Sequence, residues 1–414
     1  MQVNKRKILN DPVFGFIELQ SDLLFDLVEH PYFQRLRRIK QLGLSNLVYP
    51  GANHTRFEHA LGAFHLLGSA IHTLRLKGVE ITDEEADAVS QAILLHDIGH
   101  GPFSHTLEHT IVQGVNHEVL SLELMSDLNK QFDNRLEMAI QIFKNEHPKA
   151  FLHQLVSSQL DMDRMDYLRR DSFFSGVVEG TIGSDRIIKM LDVRNDRLVV
   201  EKKGIYSVEK FLIARRLMYW QVYLHKTVIV AENLLINVLK RAKQLAMNQV
   251  DVFAPPQLNW FLTQKIGIEN LTNESDKCEL LKNFVLLDDA DIISSIKVWC
   301  NHPDRILSFL SNAIINRKLF KIEIADEPFL AQKIEKIKTR IQLELTINQE
   351  EIDYFVFSST ITNSIYEINS DEISILLKDN ATVNLDEASE IDFKALSKTV
   401  IKHFLCYPKK LALI

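Results

Sequence analysis

Four short stretches, far apart in this chain, carry side chains suited to holding a divalent cation. They are His59 in Thr55-Arg56-Phe57-Glu58-His59, the pair His96-Asp97, the cluster His100, His105 and His117, and Asp163 within Asp161-Met162-Asp163-Arg164-Met165-Asp166-Tyr167. Ten of the fifteen histidines fall between His30 and His117, a crowding that random scatter does not produce. Imidazole nitrogens and carboxylate oxygens together make a mixed ligand set suited to Mn, Fe, Zn or Mg. A cation held there lowers the pKa of water and supplies a nucleophile at neutral pH. His100, His105 and His117 flank the ligand pair, and imidazole suits proton transfer because its unperturbed pKa lies near neutrality. The crowding points to an enzyme.

Each of these signals has an ordinary alternative. A His-Asp dipeptide by itself is more often incidental; His59 upstream and Asp163 downstream, each in a separate helical segment, change that, because separate helices can converge on one cavity. His105 and His109 are four apart and could hold zinc on a helix face, but no further ligand set accompanies them. His65, His72, His147, His153, His302 and His403 read as ordinary core or surface histidines. Asp163 and Asp166 share a helix face with Tyr167, whereas Asp161 points elsewhere. Arg164, Arg215 and Lys226 are candidate phosphate ligands, and the Arg35-Leu36-Arg37-Arg38 cluster is another. The alternative for all of them is pairing with the surplus acids. No glycine-rich phosphate loop is present, which removes support from kinase, ATPase and dinucleotide-binding readings.

The elements that position these groups read as mainly helical. Val13–Gln20 is expected to be a short strand or hairpin arm after the turn signal Asn10-Asp11-Pro12. Leu23, Leu24, Leu27 and Val28 repeat at helical spacing, and after His30-Pro31 the pattern resumes in Phe33, Leu36, Ile39 and Leu42. Thr82 and Glu85 form a capping box opening a helix to His96, with Ala86, Val89, Ile93 and Leu94 as its buried stripe. Gly99 and Gly101-Pro102 end that helix just past the His-Asp pair. Val193–Val200 and Gly204-Ile205-Tyr206 are expected to form a hairpin with Asn195-Asp196 at a tip. From Ser207 a helical tract runs to about Met247, with Arg215, Tyr219, Val222 and Lys226 on one face. Ala254-Pro255-Pro256 breaks it, and Gln257–Lys338 reads as more helices with an acidic turn at Asp288–Asp291. After Glu344 the segments Tyr354–Phe357, Ile373–Leu377 and Ala381–Leu385 read as strands, with turns at Asn369-Ser370 and Asp379-Asn380. The division expected is a helical core over 1–250, a helical extension over 251–345 and a small mixed α/β C-terminal subdomain over 346–414.

Composition bounds the rest. The 414 residues are 46% hydrophobic and 25% charged, ample for a folded core. A net charge of −7 disfavours a sequence-independent nucleic-acid binder. Cys278, Cys300 and Cys406 form no CxxC, so disulfides and zinc ribbons are not expected and a reducing cytoplasm fits. The N-terminus lacks the apolar run of a signal peptide, and no stretch of about 20 apolar residues suggests a membrane span.

Together the motifs resemble the HD-domain phosphohydrolases, in the branch of deoxynucleoside triphosphate triphosphohydrolases. The resemblance is carried by Phe33–Gly43, Tyr49-Pro50-Gly51-Ala52, Thr55–His59, His96–His105, Asp161–Asp171 and Tyr223-Leu224-His225-Lys226, from about residue 8 to 235. It implies that His59, His96, Asp97 and Asp163 hold the metal. It implies that His100, His105, Glu108 and His117 surround the α-phosphate, supplying the leaving-group proton and aligning water. Arg56, Arg164, Arg215 and Lys226 would bind the triphosphate. Gln41 and Leu42 would pack on the deoxyribose, with Tyr167 and Asp171 near its 3′-hydroxyl, and Tyr223 would be a further substrate-binding residue. A tight pocket rejects a ribose 2′-hydroxyl by clash and by leaving it unpaired. Glu29, Gln34 and Arg37 match a regulatory nucleotide pattern, with Glu29 in place of an aspartate. Arg164 stands where some members have lysine and Glu108 where some have aspartate. A homo-oligomer, a tetramer by this resemblance, is expected. No SAM domain is expected ahead of the core. The other readings are a phosphohydrolase for a different nucleotide phosphoester and a non-catalytic nucleotide sensor.

Overall fold

The computed structural model describes residues 7–103, 110, 112, 114–363, 372–391 and 399–409. The Asn10-Asp11-Pro12 turn signal is realised as an antiparallel hairpin of β1 (Lys7–Asp11) and β2 (Gly15–Leu19). The Asp11 carboxylate accepts from the backbone N–H of Val13 and Phe14, both at 2.9 Å, and closes the turn. Helix α1 (Asp22–Glu29) buries the four expected apolar residues, with Ser21 as its N-cap. The helix expected from Phe33 to Leu42 does not continue. After α2 (Pro31–Gln34) the chain tightens into a 3₁₀ turn at Arg35–Arg38, then extends so that Lys40 pairs with Thr55. Tertiary bonds explain the departure. The buried Arg35 guanidinium donates to the carbonyls of Leu287, Ile98 and His100 and fixes the backbone there.

The centre of the molecule is α3 (Arg56–Leu76), which buries residues on nearly every face, including Phe57, Leu61, Phe64, Leu67, Ile71 and Leu74. It packs against α4 (Asp83–Leu95), whose Thr82–Glu85 capping box is formed. In α4, Val89, Ile93 and Leu94 are buried as expected, while Ala86 is half-buried. Next come α5 (His117–Gln131), α6 (Glu137–Phe143), α7 (Ala150–Val156) and α8 (Met162–Ser175), the last lying along α3. Asp161 caps α8, and Gly176 ends it at φ 75° in the left-handed region that favours glycine.

After α9 (Ser184–Met190), strands β3 (Leu191–Arg194) and β4 (Arg197–Glu201) form the expected hairpin around Asn195-Asp196, both at positive φ. Gly204-Ile205-Tyr206 is not its partner: Ile205 already begins α10 (Ile205–Met218). The long helical tract is also interrupted. A π-helical turn at Tyr219–Tyr223 and the non-helical Leu224-His225 separate α10 from α11 (Lys226–Met247), with a bend of 56°. Helices α12 (Pro256–Thr263), α13 (Glu274–Phe284), α14 (Asp289–Trp299) and α15 (Arg305–Ile315) follow. The acidic run is the capped start of α14, where Asp288 accepts from Ala290 N–H.

Two sheets draw the C-terminal segments onto the helical body. Strand β5 (Lys321–Ala325), in a region expected to be wholly helical, precedes α16 (Ala331–Leu345). It pairs antiparallel with β9 (Val400–Tyr407), which also pairs with β6 (Phe357–Asn363). Tyr354 itself lies in a 3₁₀ turn, so β6 starts later than expected. Strand β7 (Ser374–Leu376) runs parallel to β4, and β8 (Thr382–Asn384) pairs with β7. Asn369-Ser370 lies outside the described residues. The fold is mainly α with small mixed sheets toward the C-terminus. Among the described residues no single helix is long and apolar enough to cross a membrane.

Candidate active site and metal centre

Three helices converge on one point. His59 stands in the first turn of α3, His96 and Asp97 follow the last turn of α4, and Asp163 lies in the first turn of α8. The ligand atoms of His59, His96 and Asp163 all lie within 4.8 Å of one another. The Asp163 Oδ1 is 3.1 Å from His59 Nε2 and 3.5 Å from His96 Nε2. Asp97 lies alongside, its oxygens 3.6 Å from His59 Nε2 and 3.4 Å from His96 Nε2.

Both imidazoles are oriented through their other nitrogen. His59 Nδ1 bonds to the Asp166 carboxylate at 2.7 Å, and His96 Nδ1 bonds to the Ile93 carbonyl at 2.6 Å. With Nδ1 so engaged, it is Nε2 of each ring that faces the cluster, and a cation bound there would take the place of the Nε2 proton. Both Nε2 atoms are buried and have no hydrogen-bond partner among the described residues. Buried polar atoms are rarely left so; paired with two carboxylates, they fit a divalent cation. Charge says the same. Burial alone would push His59 down, yet Asp163 and Asp166 outweigh it and hold it up to about 10. Burial acts against His96 too and is overcome by Asp97 and Asp163. The negative field that draws protons to these rings is the field that draws a cation.

The remaining candidates divide. His100 stacks on His117 with ring centroids 3.8 Å apart, beside Asp97 at 3.4 Å. Gly99 permits this approach: a Cβ there would lie 2.2 Å from the His117 carbonyl oxygen. Burial, then Arg56, push His100 down to about 3, so its ring is neutral at pH 7. Arg56 Nη1 donates to Asp97 at 2.5 Å. His105 and Glu108 lie outside the described residues. Arg164 is anchored to Asp161, and the Arg164 and Arg215 Nε atoms are buried without a hydrogen-bond partner among the described residues, as is Gln41 Oε1. Leu42 is half-buried against the core. Lys226 is exposed instead. The interruption before α11 takes it out of phase with Arg215, Tyr219 and Val222, and it lines a 260 Å³ surface cavity with Arg317, Lys321 and Lys409. In the Arg35–Arg38 cluster, Arg35 is fully buried, Arg37 lies over Phe57 and bonds to Gln34, and Arg38 pairs with Asp288. Glu29 pairs with Lys7 at the surface.

Asp171 is more constrained than its position in the sequence suggests. One oxygen takes a bond from His54 Nε2 at 2.7 Å and the other from the Tyr223 hydroxyl at 2.7 Å. His54, stacked on Phe174 at 4.5 Å, was not singled out by the spacing argument. The available signal was its place in the histidine-rich run five residues before His59.

The HD domain model matches residues 56–171, and the HD associated region model matches residues 182–254. An uncharacterised Bacillus subtilis protein, YwfO, is 31% identical over 99% of this chain and 94% of its own length. The chain belongs to the HD-domain phosphohydrolases. A crystal structure of a phosphohydrolase from Bacteroides thetaiotaomicron is 56% identical and superposes with a TM-score of 0.94 over 97% of this chain and 99% of that one. The human deoxynucleoside triphosphate triphosphohydrolase SAMHD1 is 30% identical over 58% of this chain, which spans 45% of that relative. In this HD phosphohydrolase, His59, His96, Asp97 and Asp163 all lie within the stretch that the HD domain model matches.

Proposed function

We propose that this HD phosphohydrolase is a dNTP triphosphohydrolase that cleaves the bond between the α-phosphorus and O5′, giving a deoxynucleoside and tripolyphosphate. The observation that carries the reading is the shared face of α8. Asp163, Tyr167 and Asp171 recur every four residues, so the metal ligand and the doubly clamped Asp171 are about 12 Å apart along one helix. A phosphate at one end and its attached sugar at the other bridge that span. In this reading His59, His96, Asp97 and Asp163 would hold a divalent cation, which would supply positive charge at the phosphate and lower the pKa of water. Arg164 and Arg215 neutralise the phosphate oxygens, and their partnerless Nε atoms supply donors. Neutral His100, stacked on His117, orients water or a phosphate oxygen, while His105 or Glu108 supplies the proton for O5′. Gln41 and Leu42 close on the sugar, and Asp171 accepts from the 3′-hydroxyl. Glu29, Gln34 and Arg37 form an activator nucleotide site in this reading, and a tetramer is the assembly.

The test is product analysis. Protein loaded with Mn²⁺, Fe²⁺, Zn²⁺ or Mg²⁺ is incubated with each dNTP and NTP, singly and in mixtures, beside Asp163→Ala. Expected are deoxynucleoside and tripolyphosphate, with activity down at least ~10³-fold in the variant. Activity only in mixtures supports the activator site. Absence of dNTP turnover under every pairing and metal sinks the reading, and phosphate release from monophosphates would replace it with another phosphoester.

A further inference from the structure

The HD domain match begins at residue 56, so the N-terminal hairpin β1–β2 lies outside it. Yet the hairpin reaches the metal centre through an unbroken chain of buried charges. Behind His59, Asp166 is held by Arg170, with Nε 2.9 Å from Oδ2 and Nη2 2.9 Å from Oδ1. The third guanidinium nitrogen, Nη1, lies 2.8 Å from Asp11 Oδ2 in the hairpin turn. The side chains of His59, Asp166 and Arg170 are 0% exposed, and that of Asp11 is 5% exposed. The other oxygen of Asp11 closes the hairpin turn on Val13 and Phe14. The Phe14 ring lies 4.7 Å from the guanidinium of Arg169 and 5.6 Å from that of Arg170.

The helix packing makes room for this chain. Where α3 lies along α8, Gly62 faces the pair: a Cβ there would lie 1.9 Å from Asp166 Oδ1 and 2.2 Å from Arg170 Nη2. Any other residue at 62 must displace the two groups that orient His59.

We propose that Asp11, Arg170 and Asp166 form a positioning relay that makes the N-terminal hairpin a working part of the metal centre. The sign follows from the charges. Asp11, Arg170 and Asp166 sum to one negative charge. That charge reaches the cation through the Asp166 bond to His59 Nδ1–H, which makes Nε2 a stronger donor and fixes the ring plane. Without Asp11, the guanidinium charge is shared with Asp166 alone, the sum becomes zero, and the pull on the His59 proton weakens. The relay therefore raises cation affinity, independently of which phosphoester is hydrolysed.

The test reads cation affinity in the absence of nucleotide. Mn²⁺ binding to apoprotein is measured by competition with a chromogenic chelator for the wild type, Asp166→Asn, Arg170→Lys, Asp11→Asn and Ile17→Ala. Asp11→Asn keeps an oxygen to accept from Val13 and Phe14 but removes the negative charge that faces Arg170. Ile17→Ala loosens the hairpin's buried side and leaves Asp11 intact. Asp166→Asn is expected to weaken Mn²⁺ binding ~10- to 100-fold and Asp11→Asn ~10-fold; Arg170→Lys, which keeps the charge but cannot bridge both carboxylates as the guanidinium fork does, is expected to weaken it ~10-fold as well. Ile17→Ala is expected to lower Tm with affinity unchanged. With Co²⁺ as the probe, the visible absorption of the bound ion shifts in Asp11→Asn and not in Ile17→Ala. Two results overturn the proposal: Mn²⁺ affinity of Asp11→Asn and Arg170→Lys within twofold of wild type, or an equal loss in Ile17→Ala. If Asp11→Asn does not fold, Arg170→Lys decides by the same criterion.

Discussion

Asp171 accepts hydrogen bonds from His54 and Tyr223 on opposite oxygens, so its carboxylate cannot turn without losing one of them. A hydrogen bond to a charged group is worth about 1.5–3 kcal/mol. His54→Ala is therefore expected to raise KM for the preferred dNTP ~10-fold, with a smaller change in kcat and weaker rejection of the matching NTP. Steady-state kinetics on the two substrates decide it, and an unchanged KM would remove His54 from sugar recognition. Sequence reading reached Asp171 and missed His54. The aspartate lies in a dense motif on one helix, whereas the histidine meets it only across 117 residues of chain.

Helix ends do much of the positioning. The Thr82–Glu85 box starts α4, which delivers His96 and Asp97 one helix length later. Thr82→Ala is expected to cost about 1 kcal/mol and lower Tm by a few degrees without changing the reaction products. Scanning calorimetry checks the first part and product analysis the second. At the start of α14, Asp289 accepts from Lys40 N–H at 3.0 Å and Phe103 N–H at 3.3 Å, clamping the Gln41 segment to the turn after His100. Phe103 stands at φ 54°, a conformation unusual for an aromatic residue. Burial pushes Asp289 up to about 6, with those two backbone bonds opposing it. A folded pKa above the unfolded value of 3.8 means that protonation favours the fold. This contribution is full below pH 3.8 and is lost as pH rises through about 6. The Tm difference between wild type and Asp289→Asn is thus expected to grow in favour of wild type as pH falls from 7 to 4. A difference that is flat across that range would contradict the assignment.

At the scale of the molecule, Arg35 joins three segments distant in sequence. Its guanidinium bonds to carbonyls before α14, after α4 and at His100, and stacks 4.6 Å from the Phe284 ring. Burial pushes it down to about 9, still charged at pH 7. Arg35→Met leaves three buried acceptors unsatisfied and is expected to cost about 3 kcal/mol or more, read as a lower urea midpoint. The two C-terminal sheets act at the same scale: β7 extends the β3–β4 hairpin, and β9 joins β5 to β6.

The sequence by itself determined the ligand types, the capping box, the glycine-terminated turn after His96 and the predominance of helix. These are local matters: residue chemistry, a three-residue cap and the 3.6-residue period all act within a few turns of chain. Only the tertiary structure decided where the helical pattern stops. Leu36, Ile39 and Leu42 keep helical spacing, yet the helix gives way to a 3₁₀ turn at Leu36 and an extended backbone at Ile39, because Arg35 and Lys40 find partners on the α4–α5 connection and on α14. Lys226 keeps helical spacing with Arg215, yet the π-turn and bend carry it to another surface. The relay from Asp11 to His59 is likewise invisible in one dimension. A buried charge takes whichever partner the packing brings within reach, and Arg170 finds Asp11 at a separation of 159 residues.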